Sequence, residues 1–214
     1  MLITINPENP QERYLLQVAE CLRSGGVIIY PTDTVYALGC DIHQKKAVER
    51  ICQLKGLEPE KARLSFVCES VKSLGVYANR VTNPVFKIIR SAKPGDYTFL
   101  LEASKLVPRY YQDRRKTVGI RITEHPIALG LIRLLGHPIG SISLPDEPDL
   151  DPDHLTNPEL IHERYEKLVD MVVDGGIGGL ESSTIIDCSR GDDDIVVIRQ
   201  GKGSLEALGL VTSE

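Results

Sequence analysis

The sequence predicts an α/β or α+β domain of three layers built on one mixed β-sheet. Three observations point there. Short β-type runs and runs at helical spacing interleave along the whole chain, without strict βαβ alternation. No internal repeat and no long linker divides the chain, so residues 1–214 read as a single domain. A chain of 214 residues with 42% hydrophobic content can also fill one sizeable core.

The elements follow in order. Met1–Ile5 alternates enough for a short strand. Asn9-Pro10-Gln11-Glu12 reads as a helix start, with Asn9 as N-cap, Pro10 at the first helical position and Glu12 at the third. Leu15, Val18, Ala19 and Leu22 give that helix one apolar face, and Gly25 ends it as a left-handed cap. The apolar run Val27–Tyr30 is a strand stopped by Pro31, after which Thr32, Asp33 and Thr34 follow at once. A rigid strand edge carrying hydroxyl and carboxyl groups is a place to hold a ligand, although the same residues also favour a plain tight turn. Ala47, Val48, Ile51 and Cys52 mark a second helix running to about Leu54, broken by Lys55-Gly56-Leu57-Glu58-Pro59.

Leu64–Cys68 is a strand, and Val71–Ala78 and Val85–Ala92 are short helices. Lys93–Asp96 is a turn into the strand Tyr97–Leu101. Thr117–Ile122 is a further strand, and His125-Pro126 opens a helix that buries Ile127, Leu131, Leu134 and Leu135. Ile139–Leu144 is a strand edge. Ser141–Glu166 holds eight acidic residues against one basic residue, so its first part, near 145–157, reads as an exposed acidic insert before a helix starting at Asn157-Pro158. Val169–Val173 is a strand, and Gly175–Gly179 is a turn too irregular for a dinucleotide fingerprint. Ser183–Asp187 and Ile195–Arg199 complete the sheet.

Composition narrows the function. A net charge of −5 argues against indiscriminate nucleic-acid binding. The five cysteines are scattered, with no C-x-x-C and no Cys/His ligand spacing, so no metal site is expected and the thiols read as reduced core residues. MLITINPENP lacks the basic and apolar regions of a signal peptide, and no segment reaches the roughly 18 apolar residues of a membrane span. The expectation is a soluble cytoplasmic protein with no membrane partner.

No nucleophilic triad order or Walker loop is visible. What the strand ends do carry is hydroxyls and cations: Thr32, Thr34, Lys55, Arg121, Ser141, Ser143, Ser183, Thr184 and Arg199. Such groups converging on one point suit a phosphate or carboxylate ligand. Each cation also has a structural reading. Lys55 fits a helix C-terminus charge. Arg121, inside the apolar strand Val118–Ile122, needs a partner, and Asp187 is one candidate. Arg199 follows Ile195–Ile198 in the same way.

The motifs carry a specific resemblance. PTDTVYALG (31–39) resembles the PTDTVYGLG signature of the YrdC/YciO family, with Ala37 in place of a glycine. Pro94-Gly95 with Thr98 resembles the family's PG-x-x-T, Val118–Arg121 its VG-[IV]-R, Ser182–Asp187 its P-S-T-[IV]-x-D, and Arg199-Gln200-Gly201 its R-x-G. The five motifs keep their order over about four fifths of the chain. The resemblance implies a twisted mixed sheet of about seven strands around a concave cavity. It also implies a reaction: threonylcarbamoyl-adenylate synthesis from L-threonine, bicarbonate and ATP with Mg2+, supplying tRNA modification. On that resemblance Thr34, Arg121 and Ser183 match positions that hold threonine, whereas Lys55, Ser141, Ser143 and Arg199 match positions around the nucleotide, and Lys55, Arg121 and Ser143 would carry the catalysis.

Two departures stand out. The synthases carry K-x-R and S-x-N, where this chain has Lys55-Gly56-Leu57 and Ser143-Leu144-Pro145. Both, with the acidic insert, resemble the YciO branch, whose activity is less defined. A non-catalytic alternative is binding of tRNA or double-stranded RNA. It rests on Lys105–Arg121, which carries six basic residues and one acid, flanking Tyr110 and Tyr111. A third reading, from the fold shared with dihydroxybutanone-phosphate synthase, lacks that enzyme's acidic metal motif.

Overall fold

The computed structural model describes residues 1–58, 64–111, 116–145, 150–191 and 194–210. Its strands are β1 (Leu2–Thr4), β2 (Ile28–Tyr30), β3 (Ala37–Asp41), β4 (Ser65–Cys68), β5 (Tyr97–Glu102), β6 (Thr117–Ile122), β7 (Ile139–Ser143), β8 (Met171–Asp174), β9 (Thr184–Asp187) and β10 (Val196–Arg199). They form one mixed sheet in the order β1-β8-β2-β3-β7-β4-β6-β5-β9-β10. Helices α1 (Glu12–Arg23), α2 (Lys45–Leu54), α3 (Leu74–Tyr77), α4 (Asn83–Ser91), α5 (Pro126–Leu135), α6 (Asp153–Thr156) and α7 (Pro158–Tyr165) cover it.

The sheet has ten strands rather than about seven. The strand that the residue pattern hid is β3. Its five residues are all buried, so it shows no alternation and reads as part of the turn that precedes it. It pairs antiparallel with β2 on one side and β7 on the other.

Strand alternation divides the core into two faces. Ile28, Tyr30, Val67 and Ile139 pack with Leu15, Val18 and Leu22 of α1 and Ile127 and Leu131 of α5. Ile29, Leu38, Cys40 and Phe66 point the other way, onto Val48 and Ile51 of α2, Val85 and Ile89 of α4, and Ile161 of α7. This is the three-layer arrangement that the sequence predicts.

Local chemistry sets the ends. The N-terminus of α1 lies two residues later than the Asn9 reading: Gln11 is the N-cap and no side chain caps it. Gly25 closes the helix as expected, its N–H donating to Leu22 O at 2.9 Å. At the end of α2 the amides of Gly56 and Leu57 donate to Gln53 O and Cys52 O. These are the two bonds of a Schellman motif, for which Gly56 adopts φ 62°. Leu57 fills the apolar position of that motif and packs against the core. Asn157 caps α7 by accepting from Glu159 N at 3.0 Å. The region read as an acidic loop contains the short helix α6, and Asp146–Asp149 lie outside the described residues. Cys40, Cys52, Cys68 and Cys188 are buried free thiols and Cys21 is a half-buried one. Among the described residues, no helix is long and apolar enough to cross a membrane.

Candidate functional site

One face of the sheet, past the end covered by α1 and α5, is left concave. Strand alternation aims Ser65 and Val67 of β4, Arg121 of β6, Ser141 and Ser143 of β7 and Ala37 of β3 into it. Thr34 and Val35 from the β2–β3 loop, Lys55 from the end of α2, and Ser182, Ser183 and Arg199 complete the lining. The cavity holds about 220 Å³, and no carboxylate lines it among the described residues.

Arg121 is the floor. It is 8% exposed, and burial pushes its guanidinium below the ordinary value while the Asp33 carboxylate pushes back. Nη2 donates to Thr34 Oγ1 at 2.9 Å and to Thr32 Oγ1 at 3.3 Å, and lies 3.6 Å from Asp33 Oδ2. The partner is therefore Asp33, not Asp187, whose Oδ1 accepts from Ser189 and whose Oδ2 lies 3.8 Å from Arg190. Asp33 is itself fixed, accepting from the Thr123 hydroxyl at 2.6 Å and from Glu124 N at 2.9 Å. Arg121 Nε is buried with no acceptor among the described residues.

The hydroxyls are preset. Tyr30, its phenol pushed up to about 12 by burial, donates to Ser141 Oγ at 2.9 Å. Ser141 thus accepts from behind and keeps its own proton for a ligand. Ser183 Oγ lies 2.9 Å from Thr98 Oγ1. Lys55, the C-cap of α2, donates to Leu144 O at 3.2 Å while facing the cavity mouth. Lys55 thus stands both at the C-terminus of α2 and in the cavity lining. Arg199 ends the apolar edge strand β10 and is exposed there, and it donates to Ser183 O at 2.8 Å.

Thr34, Lys55, Arg121, Ser141, Ser143, Ser183 and Arg199 therefore meet around one cavity. Thr32 stands behind it, accepting from Arg121 and donating to Val35 O at 2.7 Å. Thr184 is fully buried and turned away, donating to Gly203 O at 2.7 Å and accepting from Gly201 N at 2.9 Å. Sequence reasoning named Asp33 only as part of the strand edge and Thr98 only as part of a motif, and it missed Ser65; none of the three was placed among the site residues. The signal for the last two was a hydroxyl inside an otherwise apolar strand run, the same signal that marked Arg121.

A second lobe of about 530 Å³ joins the first and shares Val35, Lys55, Ser143, Ser182 and Arg199 with it. Its remaining walls are largely apolar: Tyr36, Leu144, Leu150, Leu155 and Leu180. Of the basic residues read in the stretch 105–121, Arg121 is the floor of the cavity, and Lys105, Arg109 and Lys116 line neither lobe. Lys105, Arg109 and Lys116 are exposed, whereas Arg114 and Arg115 lie outside the described residues. Tyr111 is buried against Phe66, and Tyr110 donates to Ile42 O at 2.8 Å, so both rings are packed rather than offered for stacking.

Known proteins share this architecture. The Sua5/YciO/YrdC family model, described as telomere recombination, matches residues 20–201. YciO of Escherichia coli K12 is 42% identical over 205 residues, covering 94% of this chain and 96% of that protein. Its crystal structure superposes with a TM-score of 0.88, covering 97% of this chain and 98% of the other. A threonylcarbamoyl-AMP synthase of Halorhodospira halophila is 33% identical over 165 residues, 77% of this chain and 84% of that enzyme. Sua5 of Pyrococcus abyssi, solved with L-threonine, superposes with a TM-score of 0.80 at 28% identity, covering 94% of this chain and 57% of Sua5. The motifs, the cavity and these likenesses agree: the chain belongs to the Sua5/YciO/YrdC family.

Proposed function

We propose that the two lobes bind L-threonine and ATP, and that the chain joins them with bicarbonate into threonylcarbamoyl-AMP. The observation that carries this reading is the division of the site. The inner lobe is too small for a nucleotide but suits an amino acid, with the Arg121 guanidinium for its carboxylate and the Thr34 and Ser183 hydroxyls beside it. The outer lobe has the size and apolar walls of a nucleoside pocket. Lys55, Ser143 and Arg199 stand at the junction, where the phosphates would lie.

In this reaction the threonine nitrogen bonds to the bicarbonate carbon and water leaves. A carbamate oxygen then bonds to the α-phosphorus, and the bond to the β-phosphate breaks, releasing pyrophosphate. The protein's part is positioning and charge stabilisation. Lys55 and Arg199 offset the charge that grows on the departing phosphates. Mg2+ fits as a companion of the triphosphate: among the described residues the lining offers hydroxyl oxygens, those of Ser141 and Ser143 among them, but no carboxylate cage. When bound, it supplies charge neutralisation on the phosphate oxygens.

The assay is incubation with ATP, Mg2+, bicarbonate and threonine, following pyrophosphate and the adenylate. Threonine-dependent release of both is expected. Pyrophosphate release indifferent to threonine would overturn the reading.

The departures set the rate. Leu57 and Pro145 line neither lobe; Leu57 is committed to the Schellman contact, and Pro145 follows the carbonyl that holds Lys55. A charge-assisted hydrogen bond is worth about 1.5–3 kcal/mol, so one missing arginine slows adenylate formation by about ten- to hundredfold. Leu57→Arg with Pro145→Asn is expected to recover most of that in a folded protein, with threonine affinity unchanged. The nearby Arg63, a potential substitute for the missing arginine, lies outside the described residues. Repulsion by the acidic insert is the rival cause, and added salt separates the two, since screening relieves repulsion but restores no donor.

A second reading, contact with tRNA or double-stranded RNA, is favoured by the exposure of Lys105, Arg109 and Lys116. With Tyr110 and Tyr111 packed, it would rest on phosphate contacts. Neutralising Arg114, Arg115 and Lys116 together should then weaken binding to all RNA sequences alike and flatten its salt dependence. Unchanged affinity at low salt removes the patch from consideration.

A further inference from the structure

The pairing of β3 with β7 assembles a second group of polar side chains at the strand ends opposite the cavity. Register places Ala37 beside Ser143 at the cavity end and Asp41 beside Ile139 at the other. Asp41 ends β3, His43 stands in the turn after it, and His137 in the loop before β7. One ligand-type atom from each lies within 4.8 Å of the others. Asp41 is buried, His137 half-buried and His43 exposed, so the group opens to the surface on one side.

We propose that Asp41, His43 and His137 bind a zinc-class divalent transition-metal cation, with a coordination position left open to the surface. The hydrogen bonding of His137 carries the argument. Its Nδ1 lies 3.0 Å from Pro138 O. A carbonyl only accepts, so Nδ1 carries a proton and Nε2 is the ring nitrogen turned toward the carboxylate. It lies 3.4 Å from Asp41 Oδ1. A proton or a metal ion can bridge such a pair, and metal binding displaces the proton. Two metal bonds of about 2.0–2.1 Å at a tetrahedral angle set the ligand atoms about 3.3 Å apart, close to what is seen.

The outer contacts agree. A backbone carbonyl on the far nitrogen is the usual support of a metal-binding histidine. Asp41 Oδ1 is oriented by His43 N at 2.8 Å, which occupies one lone pair and leaves another. The His43 and His137 rings meet edge-on, at 82° and 4.7 Å between centroids. Two imidazoles and one carboxylate favour zinc and its neighbours over Mg2+, which takes oxygen ligands, so this site is distinct from any ion carried by ATP. Spacing rules could not find it, because His137 lies far from Asp41 and His43 along the sequence.

The test titrates chelator-treated full-length protein with Zn2+ by calorimetry and with Co2+ by visible absorption. One equivalent is expected, with the d–d bands of low-symmetry Co2+. Zn2+ at a hundredfold excess over Kd should raise the melting midpoint by about 5–10 °C. Millimolar Mg2+ should not compete. His43→Ala and His137→Ala should each weaken Zn2+ at least tenfold. His43 is exposed, so its variant folds and suffices alone if the other does not. Absence of stoichiometric Zn2+ binding overturns the proposal and leaves a proton between His137 and Asp41. Zn2+ binding that His43→Ala leaves unchanged also overturns it, by moving the metal to other residues such as the free thiols.

Discussion

Arg121→Met is expected to weaken threonine binding at least hundredfold and to lower stability by about 3 kcal/mol. The two effects share a cause but are separable. A carboxylate held by a buried guanidinium gains about 1.5–3 kcal/mol per charge-assisted bond, and each 1.4 kcal/mol is about tenfold, so losing both arms exceeds a hundredfold. Stability falls because the largely enclosed Asp33 loses its cationic partner. Removing one partner of a buried pair costs about 3–5 kcal/mol. The low end applies here, because Asp33 still accepts from the Thr123 hydroxyl and Glu124 N. In a chain of this size that is a fall of about 6–12 °C in the melting midpoint. Asp33→Asn added to Arg121→Met should return most of the stability and none of the threonine binding. Calorimetric titration with threonine, without ATP, reads the first effect and thermal unfolding the second. A folded Arg121→Met protein that binds threonine normally would remove Arg121 from the site.

Why Arg121 could be found in the sequence, and its partner could not, shows what a linear reading contains. A charge inside Val118–Ile122 breaks an apolar strand, and period-two alternation already sets it opposite Ile120 and Ile122. Burial of an unexplained cation is thus legible residue by residue. Its partner is not. Asp33 and Asp187 were equally available carboxylates, and only the packing of the β2–β3 loop over the end of β6 brings Asp33 to 3.6 Å.

Thr184 shows the reverse case. Ser182, Ser183 and Thr184 look alike in sequence, but alternation sends Ser183 toward Thr98 and Thr184 toward the backbone of Gly201 and Gly203. β3 escaped notice because a strand buried on both faces has no alternation to show. The apolar wall of the outer lobe escaped for another reason: Leu155 comes from α6 and Leu150 and Leu180 from loops, and nothing local marks them as one surface.

The turn before β5 supports this same carboxylate, which makes Gly95→Ala the second large expected effect. Gly95 has φ 84°, and its N–H donates to Ile122 O at 2.7 Å, so the turn is tied directly to the strand that carries Arg121. A β-carbon there would lie 2.7 Å from Asp33 Oδ1 and closer still to Asp33 Cβ and Cγ. Asp33 cannot swing aside freely, because Thr123, Glu124 N and Arg121 hold its carboxylate from the other side.

The left-handed backbone costs alanine about 1–2 kcal/mol. Forcing a methyl against a fixed side chain adds about 1–3 kcal/mol. A total near 3 kcal/mol lowers the melting midpoint by about 6–12 °C. Threonine affinity should fall with it, since a displaced Asp33 frees the guanidinium from the orientation that Thr34 and Asp33 give it. Asp33→Gly separates the two costs. In that background the collision is gone, and Gly95→Ala should cost only the backbone part, leaving a coupling of about 2 kcal/mol between the two positions. Strictly additive losses would show that Asp33 yields to the methyl without strain, and that the turn and the threonine lobe are independent.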